Sequence, residues 1–138
     1  MFTLGALVDD SETVSLAVRV AWQDGLLWYD LGGSAVRIDS DGWSVVEAPP
    51  ILFKRFPHQH HQVTPVPAGN FDSIDRYLPV EPESEEALLL KTWVLVCMSP
   101  DGPRPVLDLA GPQGSGKTTT ARASKLILDQ SRVPTIRR

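Results

Sequence analysis

The stretch Gly111-Pro112-Gln113-Gly114-Ser115-Gly116-Lys117-Thr118 decides how this sequence is read. It carries glycine, glycine, lysine and threonine at every fixed position of the spacing G-x-x-x-x-G-K-[ST]. A short apolar run at 105–110 precedes it and a helix-patterned segment at 117–130 follows it, which is the strand–loop–helix setting such a spacing requires. Each residue type has a physical reason to be there. Successive backbone N–H groups form a concave nest for anionic oxygens. Gly111, Gly114 and Gly116 permit positive φ and close approach of a ligand to the backbone. The helix opening near Lys117 adds unpaired N–H groups and the positive end of its dipole. The Lys117 ammonium is expected to reach β- and γ-phosphates, and the Thr118 hydroxyl to ligate a Mg²⁺ ion bridging phosphate oxygens. Pro112, Gln113 and Ser115 complete the loop, and Thr119 is placed to touch an α-phosphate. The pattern therefore predicts a nucleoside triphosphate site, for ATP with Mg²⁺; the alternative is a glycine-rich strand-to-helix turn with no ligand.

Outward from the loop, Asp108 interrupts the apolar run at a position where a strand covered on both faces carries an apolar residue. An unpaired buried carboxylate is costly. Either that face is open, or Asp108 has a partner such as Arg104 or Arg122. Residues 83–98 read as a helix with Glu83, Glu85 and Glu86 at the positive end of its dipole, ended by Pro100, Gly102 and Pro103. In 117–130, Ala121, Leu126, Ile127 and Leu128 are the expected apolar contacts. Residues 56–82 hold five prolines (Pro57, Pro65, Pro67, Pro79 and Pro82) and read as a linker, with one short helix at 71–77 capped by Asn70. Residues 13–55 read as strands. Val14, Leu16, Val18 and Val20 alternate with smaller or polar residues, the period of a half-buried strand. Further strands are expected at 26–31, 35–38, 43–47 and 51–55, separated by Asp24-Gly25, Gly32-Gly33, Asp41-Gly42 and Pro49-Pro50.

The expected fold is α+β, in three zones. An antiparallel β meander at 1–55 and the linker at 56–82 precede a helix–strand–loop–helix segment of α/β P-loop type at 83–138. Only twenty residues follow Thr118. They contain no second apolar strand ending in Asp or Glu, and no further arginine sensor beyond the helix can be assigned, both of which phosphate cleavage ordinarily needs. Nucleotide binding is expected, and hydrolysis by this chain alone is not. Asp30 imitates a metal-site carboxylate in type, but it precedes the loop and reads as an ordinary strand-end residue.

Composition bounds the remaining classes. The chain has 138 residues, 42% hydrophobic and 22% charged, with a formal net charge of -4. That charge disfavours a general nucleic-acid coat and leaves room for a local basic groove. The single cysteine, Cys97, excludes an intrachain disulfide and reads as a small buried hydrophobe. No run reaches the roughly 20 apolar residues of a membrane span. The start lacks the basic and small-residue features of a signal peptide, so a cytoplasmic location is expected.

His58, His60 and His61 lie close together but have no Cys or carboxylate at ligand spacing, and read as a solvated loop. Trp22, Trp28, Tyr29, Trp43 and Phe53 have the chemistry of a stacking platform for single-stranded nucleic acid. With only Arg19, Arg37, Lys54 and Arg55 nearby, they read mostly as core.

Several stretches besides the loop carry a resemblance. They are Trp28-Tyr29-Asp30-Leu31-Gly32, Asp41-Gly42-Trp43-Ser44-Val45-Val46, Pro50-Ile51-Leu52-Phe53-Lys54-Arg55, residues 71–78 and 90–98, and Arg104-Pro105-Val106-Leu107-Asp108-Leu109-Ala110. Over 18–129 the chain resembles P-loop ATP-binding proteins of phages and integrated mobile elements, relatives of primase-linked and superfamily-three replicative helicases. The resemblance implies nucleotide binding at Gly111, Gly114, Gly116, Lys117, Thr118 and Thr119. It also implies a chain corresponding to the N-terminal part of such a protein; separately, the flanking sheet that these residues cannot build leaves room for an oligomer or partner chain to complete it. The resemblance does not carry hydrolysis or DNA unwinding, whose residues are not among these. The competing expectation is a non-catalytic module whose β unit contacts a partner or DNA and whose loop is vestigial.

Overall fold

The computed structural model describes residues 14–103 and 105–131. It is α+β: four antiparallel strands followed by a short 3₁₀ helix and two α-helices. The strands β1 (Val20–Gln23), β2 (Leu26–Asp30), β3 (Ala35–Asp39) and β4 (Gly42–Val46) lie side by side in chain order. The expected meander is thus present, and its turns explain it. Asp24 and Gly25 both have positive φ, 55° and 74°, the geometry that lets a two-residue loop follow the twist of its strands. At the β3–β4 turn, the Asp39 carboxylate accepts hydrogen bonds from the backbone N–H groups of Asp41 and Gly42.

Register assigns the two faces. Trp28, Ala35 and Ile51 are the buried centre of one core, joined by Ala17, Ala21, Leu26, Val46 and Phe53. On the opposite face, Trp22 pairs with Leu27, Leu27 with Ile38, and Ile38 with Trp43. These four make one apolar row across the sheet. Its ends are open to solvent, Trp22 at 51% and Trp43 at 44% exposure, so these two tryptophans are not core residues as the sequence reading had them.

Two strand expectations need correction. The run 14–20 is a strand only from Val20, and its phase is reversed: Val14, Leu16 and Val18 are exposed while Arg19 is buried. The reason is polar, because Arg19 turns inward to carboxylates that no local pattern reveals. The run 51–55 is reduced to one parallel bridge, in which Ala17 donates to the Leu52 carbonyl at 3.2 Å and Lys54 donates to the Ala17 carbonyl at 2.7 Å.

The helical half has its own core of Ile74, Leu78, Leu90 and Val94, with Val80, Trp93, Leu107 and Leu128 packed against it. The 3₁₀ helix Phe71–Tyr77 starts at Asn70, whose side chain accepts from the Asp72 N–H. The helix α1 (Glu85–Cys97) is capped by Ser84, whose hydroxyl accepts from Ala87 N–H at 3.2 Å, with Glu85 and Glu86 in its first turn. Its Ala87, Leu90 and Val94 stripe is buried, while Leu88, Leu89 and Leu95 are exposed. Cys97, expected to be fully buried, is half-buried on the same helix. The helix α2 (Lys117–Leu128) buries Thr120 and Ser124, and Leu126 and Ile127, expected as core contacts, face solvent.

Residues 105–110 do not form the expected strand. They keep a strand-like alternation, with Leu107 and Leu109 half-buried and Val106 and Asp108 exposed. Among the described residues, no backbone group from 106 to 110 has a hydrogen-bonding partner. A strand is defined by its neighbour, and no described segment runs beside this one.

Candidate phosphate-binding site

Residues 111–116 form the turn that feeds α2. Gly111, Gly114 and Gly116 all have positive φ, at 149°, 85° and 79°. A Cβ on Gly111 would lie 2.8 Å from the Ser115 hydroxyl, and one on Gly116 would lie 2.9 Å from Cγ of Pro79. Gly114 has nothing within 4 Å, so only its φ calls for glycine. The loop closes through Ser115 N–H donating to the Pro112 carbonyl at 3.3 Å. The helix begins with Thr120 N–H donating to the Gly116 carbonyl at 2.9 Å, reinforced by the Thr120 hydroxyl on the same oxygen at 3.1 Å.

The remaining donors are uncommitted. Among the described residues, the N–H groups of Gly114, Gly116, Lys117, Thr118 and Thr119 make no hydrogen bond. They sit at the positive end of α2. The Lys117 side chain folds over the loop, its ammonium donating to the carbonyls of Gly111 at 2.7 Å and Pro112 at 2.6 Å and to the Ser115 hydroxyl at 3.2 Å. All three partners are neutral oxygens, and among the described residues no carboxylate pairs with Lys117. Thr118, Thr119 and Gln113 are exposed at the loop mouth. Gly111 to Thr119, consecutive in the chain, run through this loop and the first turn of α2. Beside it runs an open cleft of about 920 Å³ between α1 and residues 105–110, lined largely by Leu89, Trp93, Val96, Leu107 and Leu109 and reaching Lys117.

Asp108 borders this cleft in solvent, which answers the question its position raised: the face is open. Arg104, its alternative partner, lies outside the described residues, and no ion pair joins Asp108 to Arg122. The three histidines diverge. His58 stacks on Phe56 with ring centroids 5.6 Å apart, His60 offers its carbonyl to Arg19, and His61 packs against Gly32. No group of three His, Cys, Asp or Glu side chains suited to a metal occurs among the described residues.

Sequence reading missed the residues that hold the far end of α2. The Leu128 carbonyl accepts from the Tyr29 hydroxyl at 3.1 Å and from the Gln62 amide at 3.3 Å. The Asp129 carboxylate accepts from Arg19 Nε at 2.7 Å. Arg19 is fixed in turn by Asp30 at 3.3 Å and the His60 carbonyl at 2.9 Å. Asp30, 2% exposed, also accepts from Gly32 N–H at 3.0 Å and Arg55 at 3.1 Å. It is a satisfied structural carboxylate, its oxygens committed to arginines. Burial pushes the Tyr29 phenol up to about 12, so it remains a proton donor throughout the neutral range. The one sequence signal for this cluster was an arginine inside an otherwise half-apolar run, with an aspartate closing the next strand.

Comparison of the chain with protein-family models, with curated proteins and with solved structures gives no match. Among the described residues, no helix is long and apolar enough to cross a membrane.

Proposed function

We propose that the chain binds a nucleoside triphosphate, ATP, through Gly111 to Thr119. The observation that supports this most directly is the group of uncommitted donors. The loop with its positive-φ glycines and the first turn of α2 carry unbonded backbone N–H groups, and the same loop holds an ammonium that meets only neutral oxygens. Such an array is complementary to a polyphosphate. On binding, Lys117 exchanges its carbonyl partners for phosphate oxygens. Mg²⁺ would be held mainly through the ligand rather than by a protein cage: Thr118 would offer one hydroxyl, beside phosphate oxygens and waters. When bound, the ion neutralises phosphate charge. Kinship with mobile-element replication ATPases rests on sequence resemblance alone, and fold-level analogy does not carry function.

Calorimetric titration of the 138-residue chain with MgATP tests the reading. Saturable binding is expected, lost by at least tenfold in Lys117→Ala, with Thr118→Ala reducing its Mg²⁺ dependence. A ligand specific for the native state raises the melting temperature, so a melting curve unmoved by saturating MgATP would sink the proposal. No turnover is expected; a Lys117-dependent phosphate release by the pure chain would overturn that part.

The exposed row ending in Trp22 and Trp43 favours a second reading, in which the sheet contacts a partner or single-stranded DNA and the loop is vestigial. Tryptophan fluorescence quenched by oligonucleotide, together with indifference to ATP, is its signature.

A further inference from the structure

We infer that Tyr29, Arg19 and Gln62 are positioning residues for the phosphate loop, acting through the opposite end of α2; the inference rests on the nucleotide-binding reading. The helix has twelve residues, about 18 Å of rigid rod at 1.5 Å per residue. Its loop end is fixed laterally by Pro79 against Gly116, and its middle by the buried small side chains of Thr120 and Ser124. Neither contact is strongly directional. Hydrogen bonds at the loop end stay within residues 111–120, and those that tie α2 to the sheet side of the fold are at the other end. Tyr29 and Gln62 satisfy the Leu128 carbonyl, one of the orphan acceptors every helix C-terminus leaves. Arg19 holds Asp129, and His60 N–H donates to the Gln130 carbonyl at 2.9 Å. These donors come from the sheet and from the segment that crosses it, and Asp30 and Arg55 lock Arg19 in place.

A rod whose directional ties to the sheet lie at one end takes its angle from that end. A tilt of about 5° at Leu128 displaces the far end by roughly 1.5 Å over that length, and a displacement near 1 Å is enough to spoil a binding geometry. The antiparallel sheet therefore does for α2, from its C-terminus, what a neighbouring strand beside residues 105–110 would do from below. Coupling between the two ends is reciprocal: ligand at the loop must tighten the clamp.

Tyr29→Phe is the test variant, because it removes one hydroxyl and keeps the ring. Two measurements are made on the whole chain: amide hydrogen exchange without ligand, and MgATP affinity well below the melting temperature. The expected result is exchange accelerated severalfold at 120–124, remote from the substitution, and affinity for MgATP weakened about fivefold, the scale of one hydrogen bond. In the unaltered chain, MgATP is expected to slow exchange at His60 and Asp129, whose N–H groups donate to the Gln130 and Lys125 carbonyls. A contact that only adds stability would lower the melting temperature, confine faster exchange to 128–130 and leave affinity unchanged; that outcome overturns the positioning role. If the unaltered chain binds no MgATP, the nucleotide reading fails, and the exchange pattern at 120–124 alone decides whether the clamp controls the loop end.

Discussion

Gly116 stands under two separate constraints, a φ of 79° and a prolyl ring 2.9 Å from where a Cβ would be. Gly114 stands under one, a φ of 85° with open space around it. Replacing each with alanine separates strain from crowding. Gly114→Ala is expected to cost about 1 kcal/mol, the usual penalty of a left-handed conformation. Gly116→Ala is expected to cost about 2–3 kcal/mol, because Pro79 must also move; urea denaturation of the two variants measures the difference. The φ requirement was legible in the sequence from the spacing of glycines. The Pro79 contact was not, since it joins residues that only tertiary structure brings together. Tyr29 yields a second prediction at this scale. Its raised pKa means that the fold favours the neutral phenol, so its contribution to stability is intact below pH 10, the unfolded value, and is lost as pH rises towards 12. The absorbance titration of the chain minus that of Tyr29→Phe should have its midpoint near 12; a midpoint at 10 would mean that the phenol is not held.

At the scale of elements, local chemistry decides turns and caps, and long-range chemistry decides faces. The Asp24-Gly25 turn and the Asn70 cap stand where the sequence puts them, the β3–β4 turn falls one residue earlier, at Ser40-Asp41, with Gly42 already in β4, and α1 is capped by Ser84, because each depends on residues within one turn of chain. The face of the run 14–20 does not, since Arg19 is committed to carboxylates 11 and 110 residues away. The run 105–110 shows the same division: its apolar character and the missing flanking sheet were visible in the sequence, and which of its residues turn inward was not. Its sidedness is testable. Leu107→Ala, which removes a contact with the helical core, should cost about 2 kcal/mol. Val106→Ser, at a position 92% exposed, should stay within about 0.5 kcal/mol of the unaltered chain. Equal losses at both positions in thermal denaturation would contradict the assigned faces.

Over the whole molecule, two small apolar cores are joined through a polar cluster. Arg19, Asp30, Arg55 and Asp129 form the joint, with Tyr29 and Gln62 beside it. The zones at 1–55, 56–82 and 83–138 were separable in sequence because composition changes between them, and nothing local encodes the bonds that cross from the first to the third. Removing one partner of a buried pair leaves the other charge uncompensated, so Arg19→Ala should cost about 3–5 kcal/mol, and urea unfolding followed by tryptophan fluorescence and by far-ultraviolet dichroism should show both halves losing stability. The order of strands in the sheet is also the order of strands in the chain, and that has a kinetic consequence. Every ladder closes between sequence neighbours, and short loops close fast. During synthesis all four strands, with Arg19, Asp30 and Arg55, emerge from the ribosome before residues 117–129 do. The helix α2 meets the donors that hold its C-terminus only after they are out of the ribosome, and the loop at its other end takes its place after the sheet.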